Sequence, residues 1–350
     1  MNYEIDHFPG RQLALNGKAY LYFGGTAYLS LQTDKAFQAL YISNVKKYGT
    51  NYGASRKSNI QLGIFGKAEL HLANVAGSEA CITLSSGYLA GQFLAKQFSA
   101  QQYACFYAPN THSSLFSQRR TCFENYTALN TSIRKKLAGD DSSVPVVFLD
   151  AIVFTGDHYP HFEGLRQLPL DQIILVVDDS HGVGIVGQNG GGVFSQVSRL
   201  QPKELIVCAS LGKGFGLQAG AIFGDKNRIS SFAETDFFGG ASPATPAAMA
   251  TLIQASSIYR EKRVLLQRNI ALFRSEVKNI SLFSSMEKHP AFSFSDARLT
   301  NYLAENHILI THFPYPNEEN SVTSRIIISA GHTQGDILTL VKLINQYHSK

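Results

Sequence analysis

The sequence predicts an α/β protein in which a mostly parallel sheet carries helices on both faces, followed by a smaller C-terminal α+β domain. Between residues 80 and 210, short apolar runs show no alternation with polar residues, which is typical of strands buried on both faces. Helical or loop segments separate these runs, with about the length that crossovers between parallel strands need. The chain of 350 residues is also long enough for a large core and two domains.

The first half of the chain shows its elements in order. "KAYLYFGG" alternates as a strand does, and we expect "TAYLSLQTD" to be extended as well. Apolar residues at helical spacing follow in "DKAFQALYISNVKKYG", with Asp34 near the predicted start and Gly49 after the end. "IFGKAELHLANVAG" and "SSGYLAGQFLAKQF" predict two more helices. Strands are predicted for "EACITL", "YACFYA", "VPVVFLDA", "DQIILVVDD" and "ELIVCAS".

The second half contains one long helical stretch, "ATPAAMATLIQASSIYREKRVLLQRNIALFRSEVKN", which leads away from the predicted sheet. Behind it, the strands "ILITHF" and "SRIIISA" and the helix "TQGDILTLVKLINQYHS" predict a small α+β domain. We therefore divide the chain into an N-terminal segment (1–44), a large α/β domain (45–250) and a small C-terminal domain (251–350).

Composition excludes several classes of function. A net charge of +5 with no basic stripe predicts no nucleic-acid partner. No apolar run approaches the roughly 18 residues of a membrane span, so no membrane partner is expected. The N-terminus lacks the basic and apolar regions of a signal peptide. Four scattered cysteines without metal-type spacing indicate a reducing compartment. These features predict a cytoplasmic protein without a metal.

Lys213 is the single charged residue in "SLGKGFGLQAGAIFG". One interpretation is a surface lysine on a glycine-rich loop, with its ammonium in water. The other is a partly desolvated lysine whose lowered pKa lets it attack a carbonyl group and form a Schiff base. The stretch by itself is compatible with both.

"IILVVDDSHGVGIVGQNGGG" places Asp178, Asp179 and His181 directly after an apolar strand. Ligands bind outside the carboxyl ends of strands in open α/β sheets, so these side chains mark a candidate site. "GVGIVG" matches the dinucleotide fingerprint GxGxxG in letters, but "QNGGG" cannot continue the helix that the fingerprint requires. A metal site and a purely structural loop with capping aspartates are the other interpretations.

The two segments taken together point to pyridoxal phosphate. Its aldehyde needs a lysine, and its ring acts as an electron sink when a carboxylate pairs with the pyridinium nitrogen. Lys213 and Asp178, at the ends of consecutive predicted strands, supply this pair. "SSGYLAG" adds a phosphate cradle, because Ser86, Gly87 and Tyr88 open a helix whose first N–H groups attract anions. "PNTHSSLF" offers His112 as an imidazole that stacks on the ring.

At this point the chain resembles the α-oxoamine synthases, over residues 18 to 340. "KAYLYFGGTAYLSL" is similar to the entry strand of that family and "YGASR" to its glycine-rich turn. "SSGYLAG", "NTHSSL" and "SLGKGFG" resemble the phosphate turn, the histidine segment and the lysine motif. "DDSHGVGIVGQNGGG" resembles the run D-E-A-H-x-x-G-x-x-G-x-x-G, and "SRIIISAGHT" the C-terminal arginine motif. The resemblance implies a fold type I transferase that depends on pyridoxal phosphate and forms a homodimer with its sites at the interface.

The resemblance also implies roles for individual residues. Lys213 would bind the cofactor covalently and Asp178 would pair with the ring nitrogen. His181 would contact the 3-oxygen of the ring, and His112 would stack on it. The phosphate would be held by Ser210 with the Gly87 and Tyr88 backbone, and by Ser242 of a neighbouring subunit.

The residues expected to surround the substrate depart in part from the pattern of the family. Arg325 would anchor the substrate carboxylate with two parallel hydrogen bonds, and Ser55 in "YGASR" would also face the substrate. Three positions depart from the family: Thr26 replaces an asparagine, Phe65 a histidine and Phe154 a serine that faces the cofactor. The N-terminal extension that helps to bind the acyl chain is largely missing.

The function implied is condensation of an amino acid with an acyl-CoA thioester and loss of carbon dioxide, as in 8-amino-7-oxononanoate synthase of biotin biosynthesis. Two alternatives remain open at this stage. One is an aminotransferase of the same fold, suggested by the altered substrate end. The other is a non-catalytic binding protein on a fold derived from an enzyme.

Overall fold

The computed structural model describes residues 3–118, 121–154, 156, 158–314 and 322–349. The chain divides into two compact units. The first comprises Met1–Ala39, Phe154–Gly156 and Ser256–Lys350, and the second comprises Leu40–Val153 and Asp157–Ala255. In the described part of the chain, no helix combines the length and the apolar character needed to cross a bilayer.

The strands are β1 (Gln12–Leu15), β2 (Lys18–Phe23), β3 (Ala80–Leu84), β4 (Tyr103–Tyr107), β5 (Val144–Asp150), β6 (Ile174–Asp178), β7 (Glu204–Ser210), β8 (Gly220–Gly224), β9 (Ser284–Ser285), β10 (Ala291–Phe294), β11 (Ile308–Pro314) and β12 (Val322–Ile327). The α-helices are α1 (Lys35–Tyr48), α2 (Ile64–Ala76), α3 (Gly87–Gln97), α4 (Tyr126–Leu137), α5 (Phe194–Ser198), α6 (Leu211–Gly214), α7 (Lys226–Ala233), α8 (Asp236–Gly240), α9 (Pro246–Gln254), α10 (Ser256–Glu276), α11 (Ala297–Glu305) and α12 (Gln334–Tyr347).

The second unit is built on a six-stranded sheet in the order β3-β8-β7-β6-β5-β4. β4, β5, β6 and β7 are parallel neighbours, and β8 runs antiparallel to both β3 and β7. Helices α2, α3, α4, α5 and α7 pack on these strands. Phe93, Phe98 and Phe148 are fully buried between sheet and helices, so aromatic burial provides a large part of this core.

The first unit contains the other six-stranded sheet, in the order β1-β2-β11-β12-β10-β9. The N-terminal hairpin of β1 and β2 joins the C-terminal strands because β2 pairs in parallel with β11. Phe273 on α10 packs on Phe292 of β10, with ring centroids 4.6 Å apart. Helix α12 begins with a capping box between Thr333 and Asp336, and Asp336 also binds Arg11 at 2.7 Å.

The structure confirms the α/β class, and it confirms the helices and strands predicted between residues 35 and 210. Two expectations at the level of elements were wrong, and one strand was not predicted. "TAYLSLQTD" forms turns and a short 3-10 helix at Leu31–Thr33, with Tyr28 and Leu29 buried. The long helical stretch consists of two helices, α9 and α10, which are separated at Ala255. The segment after Lys213 contains strand β8, which was not predicted.

Candidate active site

The candidate site lies at one edge of the sheet in the second unit. The carboxyl ends of parallel strands lie at the same edge of the sheet, so the loops that follow β4, β5, β6 and β7 are neighbours. Asp150, Asp178 and Cys208 are in register across three of these strands. His112 follows β4, and Lys213 follows β7. The structure therefore brings together residues that are far apart in the sequence.

Lys213 lies on the short helix α6, whose N-cap is Ser210. Its Nζ is 2.9 Å from Nε2 of His181. The approach depends on the glycines of the loop after β6. Gly184 has φ +87°, and a Cβ there would lie 2.8 Å from the backbone of Gly214. The absence of a side chain lets the loop carrying His181 rest directly on the turn that carries Lys213.

The two aspartates of "DDSH" have different surroundings. Asp178 Oδ1 accepts the N–H of Ser180 at 2.9 Å, and Oδ2 accepts the Ser114 hydroxyl at 3.2 Å. Asp179 is fully buried, and its Oδ2 accepts the N–H of Val193 at 2.8 Å. Burial raises the pKa of Asp179 well above its ordinary range. Asp178 thus faces the side of Lys213 and His112, whereas Asp179 holds the glycine-rich loop.

His112 is held by hydrogen bonds both at its imidazole ring and at its main chain. Its Nδ1 accepts the N–H of Ser114 at 3.2 Å, and its own N–H donates to Oδ1 of Asp150 at 3.2 Å. Burial lowers the pKa of His112, against the attraction of Asp178. A ring whose Nδ1 accepts a backbone hydrogen bond is neutral, with its proton on Nε2. Such a ring can stack on a cationic heterocycle without charge repulsion.

The N-terminus of α3 forms a cradle for an anion. Ser86 caps the helix and accepts the N–H of Leu89 at 3.1 Å, and the N–H groups of Gly87 and Tyr88 open the first turn. A Cβ on Gly87 would lie 2.5 Å from Cβ of Ser210 and 2.7 Å from its N. Gly87 therefore allows α3 to begin in contact with the N-cap of α6.

These residues fit pyridoxal phosphate. The cradle at Gly87 suits the phosphate. The buried carboxyl group of Asp178, which accepts hydrogen bonds from Ser180 and Ser114, suits the ring nitrogen. Lys213 is within reach of a polar partner, His181. Among the residues described, no three His, Cys, Asp or Glu side chains come together as a metal site.

Other predicted residues have different surroundings. In the second unit, Ser55 donates to the carbonyl of Gly239 at 2.6 Å, and Ser242 is exposed. Phe65 is buried on α2, with the Arg56 guanidinium 4.2 Å above its ring. Aromatic packing on a cation thus occupies the position where a histidine was expected.

Thr26, Arg325 and Phe154 belong to the first unit. Thr26 is exposed in the loop after β2. Arg325 lies on β12 and is 5% exposed, with its guanidinium 4.6 Å from the ring centre of Phe154 and 5.3 Å from that of Phe313. The two rings fix the plane of a guanidinium that was predicted to grip a carboxylate.

Sequence reasoning missed three residues of the site: Ser114, Ser180 and Asp150. Asp150 ends the predicted strand "VPVVFLDA", just as Asp178 ends "DQIILVVDD", so parallel pairing of the two strands could have indicated it. The roles of Ser114 and Ser180 depend on turns, which strand and helix patterns do not specify.

Comparison with known proteins identifies the family. The model of the family "Aminotransferase class I and II" matches residues 155–344, which is more than half of the chain. The chain belongs to this family. Membership confirms the predicted fold type I transferase with pyridoxal phosphate as cofactor, and the relatives confirm the resemblance to α-oxoamine synthases.

Curated relatives match over nearly the whole chain. The 8-amino-7-oxononanoate synthase of Aliivibrio fischeri is 28% identical over 357 residues, covering 95% of this chain and 90% of that protein. A putative 8-amino-7-oxononanoate synthase of Thermodesulfovibrio yellowstonii is 25% identical, with the same coverage.

Solved structures show the same fold. A serine palmitoyltransferase from S. paucimobilis superposes with a TM-score of 0.81 at 17% identity, covering 97% of this chain and 90% of that one. The 8-amino-7-oxononanoate synthase of Francisella tularensis superposes with a TM-score of 0.69 at 20% identity, covering 94% and 98%.

Proposed function

We propose that this protein condenses an amino acid with an acyl-CoA thioester, with loss of carbon dioxide, in the manner of an α-oxoamine synthase. One observation carries the proposal: Lys213, His181 and Asp178 meet at one edge of the sheet, beside the cradle at Gly87. The relatives named 8-amino-7-oxononanoate synthase support this class of reaction.

The residues of the site divide the work. Bound pyridoxal phosphate supplies an aldehyde for the amino group and a ring that accepts the electrons of the broken bond. Asp178 would hold the proton on the ring nitrogen, and hydrogen bonds from Ser180 and Ser114 fix its carboxyl group in place. His112 would cover one face of the ring, and the first turn of α3 would hold the phosphate.

Lys213 has two tasks. Its Nζ would hold the cofactor covalently in the resting enzyme, and the same amine, once free, would take the proton from the α-carbon of the substrate. His181 lies 2.9 Å away and keeps that amine oriented toward the site. Arg325, held in plane by Phe154 and Phe313, would grip the substrate carboxylate.

Covalent labelling tests the assignment. Purified protein with added pyridoxal phosphate should absorb in the region typical of cofactor bound to lysine, and borohydride followed by peptide mapping should place the cofactor on Lys213. Lys213→Ala should abolish the label. Lys203→Ala, which removes an exposed lysine before β7, serves as the control and should keep it. A colourless protein, or a label on another lysine, would overturn the proposal.

Transamination is the second candidate. Phe154 occupies the position of a serine that faces the cofactor in α-oxoamine synthases, so the substrate end departs from that group. Half-reactions separate the two functions. Conversion of the cofactor to its amine form by an amino acid alone favours an aminotransferase. Release of carbon dioxide that requires an acyl thioester favours the condensation.

A further inference from the structure

Asp150 is a buried carboxyl group next to the proposed cofactor site, and the proposed function gives it no role. It ends β5 directly opposite Asp178 on the parallel strand β6, so the two side chains are on the same face of the sheet. The residue as a whole is 8% exposed. Burial and a neighbouring carboxylate both disfavour the charged form of a carboxyl group.

Asp150 is held at both its side chain and its main chain. Its Oδ1 accepts the N–H of His112 at 3.2 Å. Its carbonyl accepts a hydrogen bond from Nδ1 of the buried His158 at 2.6 Å, and Nε2 of that histidine is 3.0 Å from the Tyr126 hydroxyl. The carboxyl group is therefore fixed in place and in turn fixes the backbone of the ring-stacking residue.

The two carboxyl groups receive unequal support for a negative charge. Asp178 accepts two hydrogen bonds, one from the N–H of Ser180 and one from the Ser114 hydroxyl. Asp150 accepts one, from His112. Hydrogen bonds to a carboxylate favour its charged form, and Asp150 receives fewer of them than Asp178. Burial, and then the charge of Asp178, raise the pKa of Asp150 well above its ordinary range.

We propose that Asp150 is a positioning residue that acts as a neutral carboxylic acid: it fixes His112 for stacking and leaves the negative charge facing the cofactor to Asp178. The inference rests on the proposed function only in its reference to the cofactor. The titratable groups that surround Asp150 come from each strand end at this edge and are His112, Cys122, His158, Asp178, Cys208 and Lys213.

The first test measures thermal unfolding against pH without added cofactor. A carboxyl group with a raised pKa in the folded state stabilises the fold at low pH, and this contribution is lost as the pH rises from the ordinary pKa of an aspartate through the raised value. Asp150→Asn cannot ionise at this position. The unfolding temperature of this variant minus that of the wild type should therefore increase steadily as the pH rises from about 5 to 9. Asp140→Asn, an exposed site, should show no such trend.

The second test measures the affinity for pyridoxal phosphate. Asp150→Ala loses the hydrogen bond to His112 and should bind about tenfold more weakly. Asp150→Asn keeps an oxygen acceptor at the same place without a charge, and should restore most of that affinity. The pH at which the absorption of the bound cofactor changes should be the same in Asp150→Asn as in the wild type.

Each outcome bears on the inference. If Asp150→Asn loses stability relative to the wild type as the pH rises, or shifts the pH at which the cofactor absorption changes, Asp150 carries a charge and the inference is wrong. If Asp150→Ala does not fold, Asp150→Asn alone decides by the same two measurements. Failure of the wild type to bind pyridoxal phosphate would contradict the proposed function, whereas the unfolding measurements would still test Asp150.

Discussion

The two adjacent aspartates show how single residues divide structural and chemical work. Successive side chains of a strand point to opposite faces, so only one of them can face a given ligand. Asp178 accepts hydrogen bonds from Ser180 and Ser114, beside His112. Asp179 binds the N–H of Val193, and a Cβ on Gly192 would lie 2.0 Å from its Oδ2. The first is placed for chemistry and the second for holding a loop.

This division predicts opposite effects for the same substitution. Asp178→Asn should leave stability near that of the wild type and slow α-proton exchange by at least about a hundredfold, roughly 2.7 kcal/mol of barrier, because the ring nitrogen loses its charge partner. Asp179→Asn should cost about 1–3 kcal/mol of stability through its buried polar atoms and retain cofactor absorption. Thermal unfolding and exchange in deuterated water measure both effects. Greater loss of exchange in Asp179→Asn would show that the assumed register is wrong.

The substrate end supports a prediction about specificity. Phe154 places an aromatic ring 4.6 Å from the Arg325 guanidinium, where α-oxoamine synthases have a serine. A site that has lost polar contacts shifts its specificity. We expect glycine with pimeloyl thioester to turn over well below about 1 per second, an ordinary enzyme rate. A panel of small amino acids, assayed for α-proton exchange in wild type and Phe154→Ser, isolates the first half-reaction. Ordinary turnover of the glycine pair would show that the departures are neutral.

Sequence reasoning could identify the residues whose amino-acid type is required by the proposed chemistry. A lysine among glycines pointed to Lys213, and aspartates directly after an apolar strand pointed to Asp178. The structure places both residues at one edge of the sheet. Ser114 gave no signal, because a serine two residues after a histidine is ordinary until a fold brings it 3.2 Å from Asp178. Hydrogen bonds between distant segments leave no local pattern.

At the scale of elements, glycines set the distances on which the site depends. Helix α3 begins where a Cβ on Gly87 would meet both Cβ and N of Ser210, and a Cβ on Gly220 would lie 2.1 Å from the carbonyl of Ser86. The start of β8, the cap of α3 and the cap of α6 therefore meet with almost no side chain between them. The walls of the cradle are therefore formed largely by backbone atoms.

Gly87→Ala should separate α3 from α6, since the conflict involves backbone atoms that cannot rotate away. We expect affinity for pyridoxal phosphate to fall at least about tenfold, as for loss of one or more hydrogen bonds to a charged group, while the protein still folds. Gly66→Ala on α2 is the matched control. Nothing lies within 4 Å of its Cβ, and alanine there should stabilise the helix by up to about 1 kcal/mol. Equal cofactor affinity in both variants would contradict the role of Gly87.

The limits of sequence reasoning at this scale have physical causes. Helix α1 was predictable because its apolar spacing and its cap, Asp34 with the N–H of Phe37 at 2.9 Å, are local. Strand β8 was missed because glycines conceal the pattern of a strand that is buried between β3 and β7. Tyr28 and Leu29 are buried in irregular backbone, a case in which tertiary packing overrides local propensity.

At the scale of the whole molecule, the sheet of the first unit joins the two ends of the chain. β2 pairs with β11 between Leu21 and Ile308, and Arg11 binds Asp336 at 2.7 Å. No pattern in the sequence could predict these pairings, because the sequence of one strand does not specify which other strand it pairs with. The N-terminal hairpin thus completes a sheet whose other strands lie in the last third of the sequence.

The implied homodimer predicts that each site contains residues from two subunits. The resemblance implies a homodimer in which Ser242 of one subunit reaches the phosphate bound by the other, and Ser242 is exposed in the single chain. Lys213→Ala should be inactive for lack of the covalent lysine. Ser242→Asp should be inactive because its charge repels the phosphate, and as an exposed change it should fold normally.

Mixing these two inactive variants tests whether sites are shared. In a mixed dimer, one site combines both changes, and the other combines an intact Lys213 with an intact Ser242. Random reassociation of equal amounts makes half of the dimers mixed, and one of the two sites in each mixed dimer is intact, so activity should return to about one quarter of the wild-type value. Each variant refolded alone, and a mixture that is never dissociated, are the controls. If every site is built from one chain, no mixture can contain an intact site, and activity will stay at the level of the separate variants.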